Sequence, residues 1–298
     1  MVALWYFGVL ITIWTIVGHA ALGFEQSYAQ PIAGVSSAVV TTFVLEWLRA
    51  WSAREKPRFI GGFSSLASLV LPAWISGLAV SFLLYPNEKL GPILFAAAVS
   101  ICSKAIIRVR IYGGTQHIFN PSNFGVVLTL FLFPWVGLAP PYHFTENLTG
   151  VAHWLVPAGI LVSGILVHFL CTGRLPLCLA WLAGFVAQAS ARSFMFGIPW
   201  IVPLMPMTSA AFVLFTLYML PDPATTPLDR KQQICFGLVV AACYGVLLSL
   251  HIVFGLFVSL FLICLLRGGA LFLQRYRTSV EGAPALDTAH PRKIAAGS

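Results

Sequence analysis

The chain has 298 residues, 59% of them hydrophobic and 9% charged, with a formal net charge of +8. A soluble domain carries about a quarter of its residues charged, so this composition excludes a water-soluble globular protein. The positive charge does not indicate a nucleic-acid surface, because the basic residues fall in short connections between apolar stretches.

The first apolar stretch, Ala3 to Gly23, lacks a basic n-region and is long for a signal peptide, so it reads as a retained helix. Further stretches follow near 31–50, 64–85, 90–107, 119–138, 153–171, 175–192, 199–220, 234–250 and 253–271. Each is long enough to cross a ~30 Å hydrocarbon core as a helix, the form that satisfies its own backbone in lipid. The pattern predicts an all-α polytopic membrane protein of about ten transmembrane helices. Residues 1–273 form one transmembrane domain, and 274–298 a polar tail predicted to be disordered, its basic start near anionic lipid headgroups.

The connections alternate in basic residues. One side holds Arg49, Arg54, Lys56, Arg58, Lys104, Arg108, Arg110, Arg174, Arg230, Lys231, Arg267 and the basic residues of the tail; the other holds Lys89 and Arg192. By the positive-inside rule the first side, with both termini, is cytoplasmic. Ten spans divide into five plus five, and an odd number per half predicts halves of opposite orientation, as in inverted-repeat transporters.

Two connections are rich in polar residues and chain-breakers. Gly113-Gly114-Thr115-Gln116-His117-Ile118-Phe119-Asn120-Pro121-Ser122-Asn123 lies between the fourth and fifth stretches. Paired glycines permit positive φ and close backbone approach, and Asn120 before Pro121 predicts a helix start. The segment reads either as a seat for a planar polar ligand or anion, or as a helix cap with a tight turn. Pro221 to Lys231, with three prolines and Asp222, is a stiff loop after the eighth stretch. Asp222 and Glu46 are acids close to the membrane; Glu46 is one turn from Arg49 and is predicted to pair with it. The six cysteines form no C-x-x-C pair, and no nucleophile–base pair or Walker motif is present.

From Tyr112 to Pro134 the chain resembles the NqrB/RnfD membrane subunits of sodium-pumping and Rnf-type electron-transfer complexes. The likeness rests on Gly113, Gly114, Ile118, Phe119, Asn120, Pro121, Phe133 and Pro134, and on Asp222, Pro223, Thr225 and Pro227 after the eighth stretch. His251 to Gly255 also resembles a branch associated with enediyne biosynthesis. The resemblance implies ten helices on a urea-transporter-like scaffold in a bacterial inner membrane, partnered with other electron-transport subunits. It further implies a flavin or quinone at a site drawn from Gly113, Gly114, Asn120, Asn123, Ser209, Asp222 and Thr225. Family members carry FMN on a threonine of an S-G-A-T segment; here the segment is Ser209-Ala210-Ala211-Phe212. Phe212 has no hydroxyl, so the expectation is noncovalent FMN, riboflavin or quinone. The expected function is that of a membrane electron-transfer subunit, with a small-solute transporter or channel on the same scaffold as the alternative.

Overall fold

The computed structural model describes residues 2–111, 114–139 and 145–280. It is an all-α membrane architecture built from α1 (Val2–Val17), α2 (Ala29–Ala53), α3 (Phe63–Leu83), α4 (Gly91–Ile106), α5 (Pro121–Leu132), α6 (Ala152–Val167), α7 (Leu175–Phe196), α8 (Ala210–Leu214), α9 (Arg230–Ser249) and α10 (Gly255–Val280). Four short strands accompany them: β1 (Leu84–Tyr85), β2 (Arg108–Ile111), β3 (Gly114–His117) and β4 (Gly137–Leu138).

The ten full spans expected from the sequence are not all met by length. Among the described residues seven helical segments are long and apolar enough to cross a membrane. An eighth is the bent pair Val202–Thr208 with Ala211–Met219, which turns by 72°. The cause of the bend is local. Pro203 and Pro206 hold a 3-10 turn, and Ser209 takes an extended ψ of 140° before α8 begins. The helices α4 and α5 have 16 and 12 residues, about 24 and 18 Å at 1.5 Å per residue, short of a ~30 Å core. Asn120-Pro121 starts α5 late, and the helix stops at Phe133, before Pro134. The helix α10 continues to Val280, past the point at which the sequence turns polar.

Both short helices nevertheless run between the same two ends of the bundle. At one end Gln26 Nε2 donates to the Leu84 carbonyl at 3.0 Å, and Asn147 Nδ2 to that of Leu22 at 3.1 Å. Here β1 pairs antiparallel with β4, and the Lys89 ammonium lies 4.6 Å from the Trp135 ring centroid. At the other end β2 and β3 form a hairpin, and Arg174 and Arg267 reach the 221–227 loop. There Glu46 accepts from Arg49 at 2.8 Å, as expected, and also from Arg58 at 3.1 Å. Arg49, Arg58, Arg174 and Arg267 therefore collect at one end, with Lys89 at the opposite one.

Small residues set the helix contacts, as they do where lipid removes the hydrophobic drive between helices. The helices α2 and α3 touch at Gly34 and Gly77, where a Cβ on Gly77 would stand 2.6 Å from the Gly34 carbonyl oxygen and 2.7 Å from Val35 Cα. Neither backbone atom can swing aside. Gly77→Val is expected to destabilise the protein by about 1–3 kcal/mol through overpacking, read as a lower thermal midpoint in detergent. Gly91→Ala, placed where nothing lies within 4 Å, should leave the midpoint unchanged.

Candidate functional site

A cavity of about 450 Å³ lies between the two halves of the chain. One side is formed by α1, α3 and the start of α5. The other is formed by the end of α6, the π-helical turn Phe215–Met219 and the 221–224 loop. Its body is apolar, with Phe7, Ile75, Phe82 and Phe215 on the wall. Phe7 stacks on Tyr218, ring centroids 5.1 Å apart. Polar groups concentrate at the basic end, where Lys104, His117, Asn120 and Asp222 line it. An apolar chamber with a few convergent polar groups is the ordinary form of a small-molecule site.

The two chain-breaking segments meet at this polar pole. Asn120 caps α5, its Oδ1 accepting from the Asn123 amide at 3.1 Å. Asn120 Nδ2 donates to the Met219 carbonyl at 3.2 Å, tying the start of α5 to the end of the eighth segment. His117 Nε2 lies 3.4 Å from Asp222 Oδ2. Asp222 also organises its own loop. Its Oδ1 accepts from the Ala224 amide at 3.1 Å, and its carbonyl from the Thr225 and Thr226 amides and from Thr226 Oγ1 at 2.7 Å. Arg174, itself buried, donates to the carbonyls of Pro227 and Pro223, and Arg267 to that of Thr225 at 2.7 Å. Burial pushes the Asp222 carboxyl up. The hydrogen bond and charge of His117, the Ala224 amide and the Lys104 charge together outweigh burial and hold it below the usual carboxylate value.

The residues singled out in the sequence divide. Asn120 and Asp222 line the cavity. Thr225 is buried beneath the loop with its hydroxyl on the Asp222 carbonyl, so its role is to brace Asp222. Asn123 is buried one step behind the wall, donating to the Phe257 carbonyl at 3.1 Å. The described part of the glycine segment is the second strand of a hairpin, Gly114–His117 pairing with Arg108–Ile111. Gly114 pairs with Ile111 near its tip and is exposed, away from the cavity, while Gly113 lies outside the described residues. In such a two-stranded pairing alternate residues turn their amides to the partner strand and the others turn theirs outward. Ser209 caps α8, accepting from the Phe212 amide at 3.1 Å, and does not line the cavity.

Several wall residues carried no signal in the sequence beyond their type. Lys104 is counted there as one basic residue among many, yet it ends the apolar helix α4 and faces the chamber. His168 and Thr172 stand on a π-helical turn that ends α6, with His168 Nδ1 2.7 Å from Thr172 Oγ1. Such turns are frequent at functional sites, but no residue pattern announces them. Tyr218 shares a 2.6 Å hydrogen bond with Ser163. Among the described residues no group of three or more His, Cys, Asp or Glu stands close enough together to hold a metal ion.

The FMN attachment implied by the family resemblance does not fit this chain. Phe212 is buried, its ring 4.7 Å from that of Phe185 and 5.9 Å from that of Trp181. It offers no oxygen and is walled by aromatic rings. Thr208, the nearest hydroxyl upstream, is exposed and donates to the Met205 carbonyl at 2.7 Å. No family model matches the chain, and no curated protein does.

Two outcomes follow from this geometry. Asp222→Ala strips the Ala224 amide of its partner and should lower stability by about 1–3 kcal/mol, whereas Asp222→Asn keeps that acceptor and should lower it less. In the wild type the depressed folded value means that the Asp222 contribution is complete above the unfolded value of about 4 and is lost as pH falls through the folded one. Thermal midpoints of the three proteins across pH 3–7 check both statements. Separately, the unmodified protein coexpressed with a flavin transferase should show no fluorescent flavin band on a denaturing gel. A band abolished by Thr208→Ala would place the acceptor at Thr208 instead.

Proposed function

We propose that this chain is a membrane electron-transfer subunit that holds a planar amphipathic cofactor, a quinone or a noncovalently bound flavin, in the cavity between its halves. The observation that carries the reading is the meeting of the two segments, through His117–Asp222 and Asn120–Met219, at the polar pole of an otherwise apolar chamber. When bound, such a cofactor supplies the electron-accepting ring. The protein's part is placement. The aromatic and aliphatic wall accepts the ring and tail and excludes water, while Lys104, His117 and Asn120 present hydrogen-bonding groups at one end. The pole belongs to the basic end of the bundle, which the positive-inside rule assigns to the cytoplasm together with both termini. The membrane would be a bacterial inner membrane, and the partners other electron-transport subunits.

The ten-helix, five-plus-five arrangement also belongs to this proposal. In the first half α3 packs on α1, α4 on α2 and α5 on α4; in the second α8 packs on α6, α9 on α7 and α10 on α9. The opening helix of each half ends in a π-helical turn, Gly18–Leu22 and His168–Thr172, closed by a left-handed glycine, Gly23 and Gly173. With α4 and α5 counted as crossings despite their length, these three contacts repeat from the first half to the second, although the α2–α3 packing is not matched by a comparable α7–α8 one. That symmetry equally suits a small-solute transporter, which is the second reading, because inverted repeats place substrate sites at their interface.

Extraction separates the two. Purified protein treated with organic solvent should release a quinone or a flavin close to one per chain, identified by its absorbance spectrum. Release of neither, together with solute uptake in proteoliposomes, would favour the transporter.

A further inference from the structure

The polar pole carries more positive charge than its protein partners answer. Lys104 lies in the last turn of α4 and lines the cavity, and no described residue accepts a hydrogen bond from its ammonium. The charges that act on it are Asp222, Arg108 and Arg58: one anion against two further cations. The anion is already engaged, with Oδ1 on the Ala224 amide and Oδ2 facing His117. Arg58 is held by Glu46, and His117 by Asp222. Lys104 is thus a half-buried ammonium on the wall of an apolar chamber, with Asp222 as a nearby counter-charge and with donors to spare, since no described residue accepts a hydrogen bond from it. A buried cation is stable when an acceptor or a counter-charge meets it.

We infer that Lys104 is the specificity-determining anchor of the cavity, donating to a carbonyl or anionic oxygen at the polar end of the ligand. The inference rests on the cavity being a ligand site. It adds an orientation, with the oxygen-bearing end at Lys104 and the apolar remainder along α1 and α3, past Phe7 and Ile75. It also adds a chemical class: ligands with a carbonyl oxygen on a ring at one end and an apolar body. A quinone and a flavin share that chemistry, and an apolar molecule of the same shape lacks it.

The test uses the purified full chain in lipid nanodiscs. Binding of decylubiquinone, of riboflavin and of oxygen-free decylbenzene is followed by quenching of tryptophan fluorescence, since Trp14 stands on the cavity wall. Lys104→Met removes the charge at nearly constant length, and Lys104→Arg keeps it; thermal midpoints confirm that both are folded. The expected result is a Kd for decylubiquinone or riboflavin raised at least ten-fold by Lys104→Met and less than three-fold by Lys104→Arg. Decylbenzene should bind the wild type and both variants alike. An oxygenated probe that binds Lys104→Met as tightly as the wild type overturns the anchor while leaving the cavity a ligand site. Equal losses for decylbenzene and the quinone also overturn it, since the lysine would then act through cavity shape. If no probe binds the wild type, the cavity reading fails and the anchor fails with it.

Discussion

The carboxylate and carbonyl of Asp222 organise the segment on which the polar pole depends. The carbonyl collects the amides of Thr225 and Thr226 and the Thr226 hydroxyl, while the carboxylate takes the Ala224 amide and faces His117. A chain leaving a membrane helix must satisfy its last carbonyls and then its own loop groups near the edge of the hydrocarbon, where unpaired polar atoms are costly. Prolines at 221, 223 and 227 remove three donors from that problem. Asp222, Arg174 and Arg267 supply much of the remainder. The result is a stiff closed turn that holds a carboxylate at a fixed place on the cavity wall. It also joins the halves, because His117 and Asn120 come from the first and Asp222 and Met219 from the second.

The cavity has a second physical origin in the short helix α5. A 12-residue helix leaves part of the membrane thickness to be filled by something else. Here the preceding hairpin and the N-cap Asn120 fill it from the basic end, bringing polar backbone and side chains inward. Non-helical chain at membrane depth is tolerated where it is buried in protein or lines a cavity, and His117 and Asn120 do line one. The bend at Ser209 has a comparable effect in the second half, breaking the eighth segment and leaving α8 and the π-helical turn to form the opposite wall.

Which of these features could be read in the sequence follows from how local each is. Apolar length marks a helix wherever it occurs, so each of α1–α10 overlaps an apolar stretch, although α10 runs on past the end of its own. Length alone does not say whether the helix is continuous, which is why α4, α5 and the broken eighth segment were expected as full spans. Asn120 and Asp222 were legible because capping and Asx turns depend on near neighbours, at positions +3 and +2 respectively. The glycine segment was open to two readings because a turn that could cradle a ligand and a turn that closes a hairpin require the same residues. The pairing of Arg108–Ile111 with Gly114–His117 shows the hairpin. Lys104, His168 and Tyr218 were not legible as site residues, since their place on the wall comes from tertiary packing.

The basic end also shows that a topological charge pattern and a structural one can use the same residues. Arg174 is buried and Arg267 is turned to a loop carbonyl, so neither is committed to lipid headgroups. Arg49 and Arg58 converge on the buried carboxylate of Glu46, closing the α2–α3 connection. A guanidinium suits these positions because its planar fork reaches two acceptors at once, Pro223 and Pro227 for Arg174 and both Glu46 oxygens for Arg49. Lysine cannot reproduce that geometry. Lys104, a single point charge on a flexible stem, is the lysine placed against the chamber. The arginines held by loop carbonyls and by Glu46 thus build the pole, while Lys104 stands on the wall where the proposed ligand would lie.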